Sequence, residues 1–212
     1  METKQKEIRE LSKKHPKLET LMYRVNKDSL KQVHTAQMQK KASGIDGVTK
    51  QDYEKNLDEN LEELIKRMKT FSYRPQPVRR TYIPKGNGKM RPLGIPAYED
   101  RLVQGVMANI LNEVYEPRFL DCSYGFRPGR SAHDAIRDIN QTLMCRRVNY
   151  ILDCDIKGFF DNVNHEWLMK FLEHDIADKN FLRYVKRFLK AGIMEKGVYS
   201  ESSVGTPQGG LC

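Results

Sequence analysis

The segment YILDCDIKGFFDNVNH, residues 150–165, holds the side chains best placed to do chemistry. An apolar run, Tyr150 to Leu152, leads into Asp153 and Asp155, which read as the end of a buried strand. Side chains alternate along a strand, so these two carboxylates would point to one face. Like charges held together repel unless a cation lies between them, and a hard oxygen site of this kind suits Mg2+. An isolated Asp-x-Asp equally describes solvated strand-end acids paired with Lys157 or with arginines. Phe159 and Phe160 follow Asp155 by four and five residues and would form an aromatic wall beside a metal, or simply pack in a core.

Two further segments could grip phosphates. Val78–Pro84 and Met90–Ile95 flank the turn-forming Lys85-Gly86-Asn87-Gly88-Lys89, a pattern that predicts a β-hairpin with a basic tip. Lys85 and Arg91 would lie on opposite arms, close enough to hold one triphosphate. The tip is not a P-loop, because GxxxxGK(S/T) and its strand-to-helix context are missing. Gly205-Thr206-Pro207-Gln208-Gly209-Gly210 places an amide side chain among glycines that allow close backbone approach. The chain carries no HExxH metal helix and no GxSxG elbow.

The elements that must position these groups read as α+β. Residues 1–70 are patterned as basic helices, with Leu18, Leu21, Met22 and Val25 on one face and Leu30, Val33, His34 and Met38 inward on the next. Asn26 and Asp28 offer capping oxygens at the break, and Thr49 caps a further helix after the loop KASGIDGVT. Leu57, Leu61, Leu64, Ile65 and Met68 form another stripe, and Asp100–Glu116 carries a broad one. Ser131 and Asp134 resemble a capping box that opens a helix through Ala135, Ile136, Ile139 and Leu143. Helices then follow at His165–Leu172 and Phe181–Leu189, with Gly192 as a stop and a second hairpin, Ile193–Val204, turning at Lys196-Gly197.

Charge points towards a polyanionic partner. Residues 1–95 carry 22 basic and 12 acidic side chains, whereas residues 96–212 carry 15 and 16. Cations aligned on phosphates displace condensed counterions, so nucleic acid is the leading partner, against the plain alternative of a solvated basic surface. Cys122, Cys145, Cys154 and Cys212 form no CxxC pair, which argues for reduced thiols in a cytoplasmic protein. The charged start and the lack of a long apolar run argue against secretion and membrane insertion.

Taken in chain order, YIPKGNGKMRPLGIP, SYGFRPGRSAHDAI, DCDIKGFFDNVNH and GTPQGG resemble successive blocks of group II intron reverse transcriptases, including their maturase-bearing members. LKQVHTAQMQKKASGIDGVT resembles the extra block that these enzymes carry ahead of their fingers. The resemblance runs over roughly residues 25–212 and implies a right-hand polymerase. Residues 1–70 would be an N-terminal helical extension and the start of the fingers, 71–120 fingers, and 121–212 a partial palm interleaved with fingers segments. Helices of the extension would be followed by β-hairpins and an antiparallel sheet packed with helices.

By the same resemblance Asp155 is the first metal-binding aspartate, and the backbone carbonyl of Ile156 supplies a further ligand in a two-metal Mg2+ site. Lys85 and Arg91 hold the incoming triphosphate, and Gln208 contacts that nucleotide. Phe160 is the steric gate against a 2′-hydroxyl, with Phe159 as second choice. Pro84 and Ile95 pack near the templating base. Gly125, Phe126 and Arg127 lie along template and primer, where backbone contacts without sequence reading are expected.

These polymerases complete the metal site with a Tyr-x-Asp-Asp block further on, whereas the sequence ends at Cys212. The expectation is therefore an RNA-binding piece that is catalytically incomplete. Its implied partners are an RNA template and intron RNA, a DNA or RNA primer, and deoxynucleoside triphosphates. Exposed apolar surface would also allow two copies to associate. The competing readings are a non-enzymatic RNA-binding splicing scaffold, and a reverse transcriptase of a retron, a diversity-generating element or a CRISPR system.

Overall fold

The computed structural model describes residues 2–39, 41–84, 86 and 88–206, with side chains from residue 7 onward. Helix α1 (Glu2–Lys14) stops ahead of Pro16, which cannot donate to the ladder. That proline corrects the helix expected through Leu18 and Val25: the stretch is irregular, with a short 3-10 turn at Met22–Arg24. Leu18, Leu21 and Val25 are nevertheless buried. Leu18 is also tied to the far end of the chain. Its N–H donates to the Asp175 carbonyl at 2.9 Å, and the Ala177 N–H donates to its carbonyl at 2.8 Å.

Helix α2 (Lys27–Ala36) opens on a capping box between Asn26 and Ser29. Leu30, Val33 and His34 point inward, but Met38 lies beyond the helix end and is exposed, against expectation. Thr49 and Asp52 cap the short α3 (Lys50–Glu54), and α4 (Leu57–Lys69) buries Leu61, Leu64 and Met68.

Strands β1 (Val78–Pro84) and β2 (Met90–Ile95) form the expected hairpin in antiparallel register, Arg79 opposite Ile95 and Pro84 opposite Met90. Helix α5 (Tyr98–Tyr115) is the centre of the core. It buries Leu102, Val103, Val106, Met107, Ile110 and Val114 against α1 and α2, each such side chain stabilising the fold by roughly 1.5–3 kcal/mol of transfer free energy. Helices α6 (Ala132–Cys145), α7 (His165–Asp175) and α8 (Lys179–Leu189) follow, and then the short strands β3 (Ile193–Glu195) and β4 (Val198–Ser200).

The four strands lie in the order β2-β1-β3-β4. The sheet is mixed, which corrects the antiparallel expectation: β3 joins β1 in parallel, Val78 opposite Ile193. Parallel neighbours cannot be joined by a tight turn and need a long crossover, here everything from β2 to α8.

The larger correction concerns Tyr150–Ile156. This segment is irregular and exposed rather than a buried strand. A strand persists only where neighbours satisfy its backbone donors and acceptors, and no strand of the sheet lies beside these residues. Helix α6 forms with its Ser131–Asp134 capping box as expected, yet it buries no side chain, with Ile136 64% and Ile139 57% exposed. Hydrophobic periodicity specifies a face; it does not supply what covers that face.

One buried carboxylate gives a stability prediction. Asp100, 2% exposed, accepts a hydrogen bond from the Tyr73 hydroxyl and another from the Gln76 N–H at 2.8 Å. Burial pushes its pKa from 3.8 up to about 6. The folded state thus binds the Asp100 proton more tightly than the unfolded state, so this group's contribution falls as pH rises from about 4 to about 6. The shift corresponds to about 3 kcal/mol at most. Urea unfolding at pH 4 and pH 7 is expected to show that component in the wild type and to lose it in Asp100→Asn. An identical pH dependence in both proteins would exclude Asp100 as its source.

Candidate functional site

Two of the motif segments come together in the structure. After Asp155 and Ile156 the chain enters a tight turn, in which the Asp161 N–H donates to the Gly158 carbonyl at 3.1 Å and the Asn162 N–H to the Phe159 carbonyl at 3.1 Å. The chain then meets residues 204–206. The Thr206 N–H donates to the Phe160 carbonyl at 2.7 Å, the Gly205 N–H donates to the Val163 carbonyl at 2.8 Å, and Asn164 and Val204 form an isolated antiparallel bridge. His165, buried at the start of α7, places Nε2 2.6 Å from the Gly205 carbonyl.

Gly205 shows why a glycine stands there. Its φ is +77°, and a Cβ would come within 2.7 Å of the Asp161 carbonyl oxygen and 2.9 Å of that of Phe160. Phe159 and Phe160 lie edge to face with ring centroids 5.4 Å apart, both exposed. The aspartate loop, the aromatic pair and the start of the Gly-Thr-Pro-Gln segment are thus joined through backbone hydrogen bonds. Gln208 itself lies outside the described residues. His165 and Gly205 were missed as positioning residues, although their place in the matching motifs was the available signal.

The hairpin stands on a platform supplied by the N-terminal block. The Arg79 guanidinium donates twice to the Ser43 carbonyl, at 3.1 and 2.6 Å, and Arg101 donates to the Ala42 carbonyl at 2.8 Å. Gly44 passes so close beneath the exit of β2 that a Cβ there would lie 2.5 Å from the Ala97 Cα. His34 sits beside this platform, its Nδ1 2.9 Å from the Tyr98 hydroxyl. Burial depresses its pKa, which keeps the ring neutral. Arg79 and Arg101 contribute to the basic count of the sequence, yet they act as internal fasteners. Arg91, in contrast, is exposed on β2 opposite Ile83, and Pro84 is exposed next to it, while Ile95 is half-buried at the hairpin base. Lys85 lies outside the described residues.

Of the three residues expected along template and primer, Gly125 and Phe126 are exposed, Phe126 completely so. Arg127 is buried instead. Its guanidinium binds the Glu116 carboxylate at 2.9 Å and the carbonyls of Leu120 and Ser123 at 2.8 and 2.9 Å, and it stacks on Phe119. A guanidinium with its donors occupied in this way has little left for a phosphate. The Arg127 side chain thus shapes the loop that presents Gly125 and Phe126.

Asp153 and Asp155 are both exposed. Their carboxylates are a hard oxygen set of the kind Mg2+ takes. The set is short of what two ions require, and among the described residues no three His, Cys, Asp or Glu side chains gather into a metal cluster. Cys122, Cys145 and Cys154 are free and exposed. Among the described residues no helix is long and apolar enough to cross a membrane.

Sequence comparison agrees with this arrangement. The family model described as reverse transcriptase (RNA-dependent DNA polymerase) matches residues 83–212. Protein YkfC of Escherichia coli is 41% identical over 171 residues, covering 79% of this chain and 45% of the relative. Group II intron-encoded protein LtrA of Lactococcus lactis is 43% identical over 155 residues, covering 73% of this chain and 26% of LtrA. The putative COX1/OXI3 intron 1 protein of Saccharomyces cerevisiae is 36% identical over 152 residues, 71% of this chain and 18% of its own length. The chain thus spans less than half the length of each of these relatives. With more than half of its length matched by the family model and intron-encoded proteins among its relatives, the chain belongs to the reverse transcriptase family, in the group II intron-encoded reverse transcriptase and maturase branch.

Proposed function

We propose that the chain is the fingers and first palm portion of an RNA-directed DNA polymerase encoded by a group II intron, which copies RNA into DNA in the cytoplasm and assists splicing of its own intron. Residues 1–70 form its N-terminal extension and the start of the fingers, 71–120 the fingers, and 121–212 the partial palm. The observation that carries the reading is the Thr206–Phe160 backbone tie, because it fastens the segment leading to Gln208 onto the turn that follows Asp155. A nucleotide site built from these two segments would have its parts held on one rigid support.

In this reading Asp155 and the Ile156 carbonyl would hold Mg2+, which lowers the pKa of the primer 3′-hydroxyl and offsets charge on the departing pyrophosphate. Asp153 and Asp155 provide the local negative charge for such an ion. Arg91, free of the fastening duties of Arg79 and Arg101, neutralises triphosphate charge together with Lys85 and so permits the fingers to close. Gln208 contacts the base or sugar of the incoming nucleotide. Phe160 stands where a 2′-hydroxyl would project, and Pro84 and Ile95 flank the templating base. Gly125 and Phe126 run along template and primer, positioned by Arg127.

The test uses the protein at the full length of its relatives, supplied with an RNA template, a DNA primer, deoxynucleoside triphosphates and Mg2+. Extension of the primer is the expected result. Failure to extend, combined with stimulation of splicing of its own intron RNA, would reject the polymerase and leave the splicing scaffold. The splicing role is supported by the branch to which the chain belongs and by the excess of cations in residues 1–95.

A further inference from the structure

Helix α8 separates its residue types more sharply than its packing requires. Phe181, Leu182 and Tyr184 are buried against the rest of the fold. Lys179, Arg183, Lys186, Arg187 and Lys190 fall within an arc of about 100° on the other side, at 100° per residue. No acidic residue occurs between Lys179 and Met194. Elsewhere in the fold lysines pair with acids: Lys27 with Asp58 and Glu62, Lys55 with Asp52, and Lys66 with Glu63. None of the α8 cations has an ion pair with a carboxylate among the described residues.

The helix dipole accounts for part of this stripe and not for the rest. Cations in the last turn, Lys186 and Arg187, are favoured by the negative C-terminal end. Lys179 stands at the opposite, positive end, where a cation is disfavoured.

The neighbouring loop adds to the charge. Arg187 is fixed by hydrogen bonds to the Tyr73 carbonyl at 2.7 Å and the Phe71 carbonyl at 3.0 Å, and Arg183 stacks on the Phe71 ring at 4.1 Å. Arg74 is near enough that it and Arg183 oppose the charge on Arg187, adding to the larger effect of burial. Three arginines gathered without a carboxylate partner among the described residues leave a counterion to come from outside. Cations recurring every three to four residues repeat at about 5–6 Å along the helix, over about 16 Å in all, which suits successive phosphates of one strand.

We propose that Lys179, Arg183, Lys186 and Lys190, with Arg187 and Arg74 at their edge, form an RNA-backbone contact that reads charge and spacing without reading bases. It rests on the reading of RNA as this protein's partner, but it does not depend on the nucleotide site.

The experiment measures binding of a fluorescein-labelled RNA hairpin by fluorescence anisotropy over a range of salt concentrations. Changing Lys179, Arg183, Lys186 and Lys190 together to Gln is expected to weaken binding at least about tenfold. It should also lower the slope of log K against log salt by about 3, from about 0.7–0.9 for each phosphate left without its cation. Lys179→Gln with Lys190→Gln, which leaves the Arg183 stack intact, should lower the slope by about half as much, and this pair serves if the fourfold variant unfolds. Replacing the three lysines by arginine should preserve the slope. Asp155→Asn should preserve it as well, so that loss of polymerase function and loss of RNA binding at α8 remain separable. An unchanged slope in a folded double variant would overturn the proposal. So would loss of binding to polyglutamate with RNA binding intact, which would assign the stripe to an acidic protein.

Discussion

On the proposed function, replacing Asp155 with Asn in the protein at the full length of its relatives is expected to reduce complementary-DNA synthesis by about a thousandfold or more, equivalent to about 4 kcal/mol of lost transition-state stabilisation. Asn keeps the size of the side chain and its hydrogen-bonding carbonyl but removes the charge that would anchor an ion beside the triphosphate. Asp155 is exposed and has no hydrogen bond or ion pair among the described residues, so the loss should appear in the chemical step with little change in the thermal unfolding midpoint. Single-turnover primer extension on an RNA template measures it. Asp153→Asn is the natural comparison, because the family resemblance assigns the metal to the Asp155 carboxylate and the Ile156 carbonyl and not to Asp153, so the substitution at 153 should cost much less. Synthesis within a few-fold of wild type after the change at 155 would remove the metal role.

Phe160→Ala is expected to act on selectivity instead of rate. The ring sits edge to face with Phe159, while the Phe160 carbonyl accepts from the Thr206 N–H. Its carbonyl is therefore held by Thr206 and its ring by Phe159, as a side chain must be held if it is to exclude a group as small as a hydroxyl. A steric conflict of about 2–3 kcal/mol corresponds to roughly a hundredfold discrimination. Its removal should bring ribonucleotide incorporation up by about that factor, with deoxynucleotide use changed far less. The ratio of kcat/KM for the two nucleotide types is the measurement. A collapse of that ratio in Phe159→Ala, with Phe160→Ala unaffected, would transfer the gate to the neighbouring ring.

The parts of the fold that could be read from the residues are those governed by local chemistry. The capping boxes at Thr49 and Ser131, the apolar stripes of α4 and α5, the β1–β2 hairpin and the turn at Lys196-Gly197 all depend on nearby residues, and all are present. What escaped is what long-range packing decides. Pro16 could have been read as the end of α1, but burial of Leu18 follows from its pairing with Asp175 and Ala177, which no local pattern signals. Tyr150–Ile156 has the composition of a strand and no partner strand beside it. In the candidate site, residue types identified the motifs, whereas the division of labour among arginines did not follow from sequence. Arg79, Arg101 and Arg127 bind carbonyls or a carboxylate within the protein, and Arg91 remains exposed.

The parallel pairing of β1 with β3 has a consequence for biogenesis. The first hairpin can close as soon as residue 95 leaves the ribosome, since its register is local. Its outer edge stays open until residue 193 has been made, because Val78 waits for Ile193 and its N–H for the Gly192 carbonyl at 3.1 Å. Throughout that interval of synthesis the nascent polypeptide presents unpaired main-chain groups, the kind of template on which strands of other chains can add. Slower elongation between codons 95 and 193 should therefore lower the yield of soluble product.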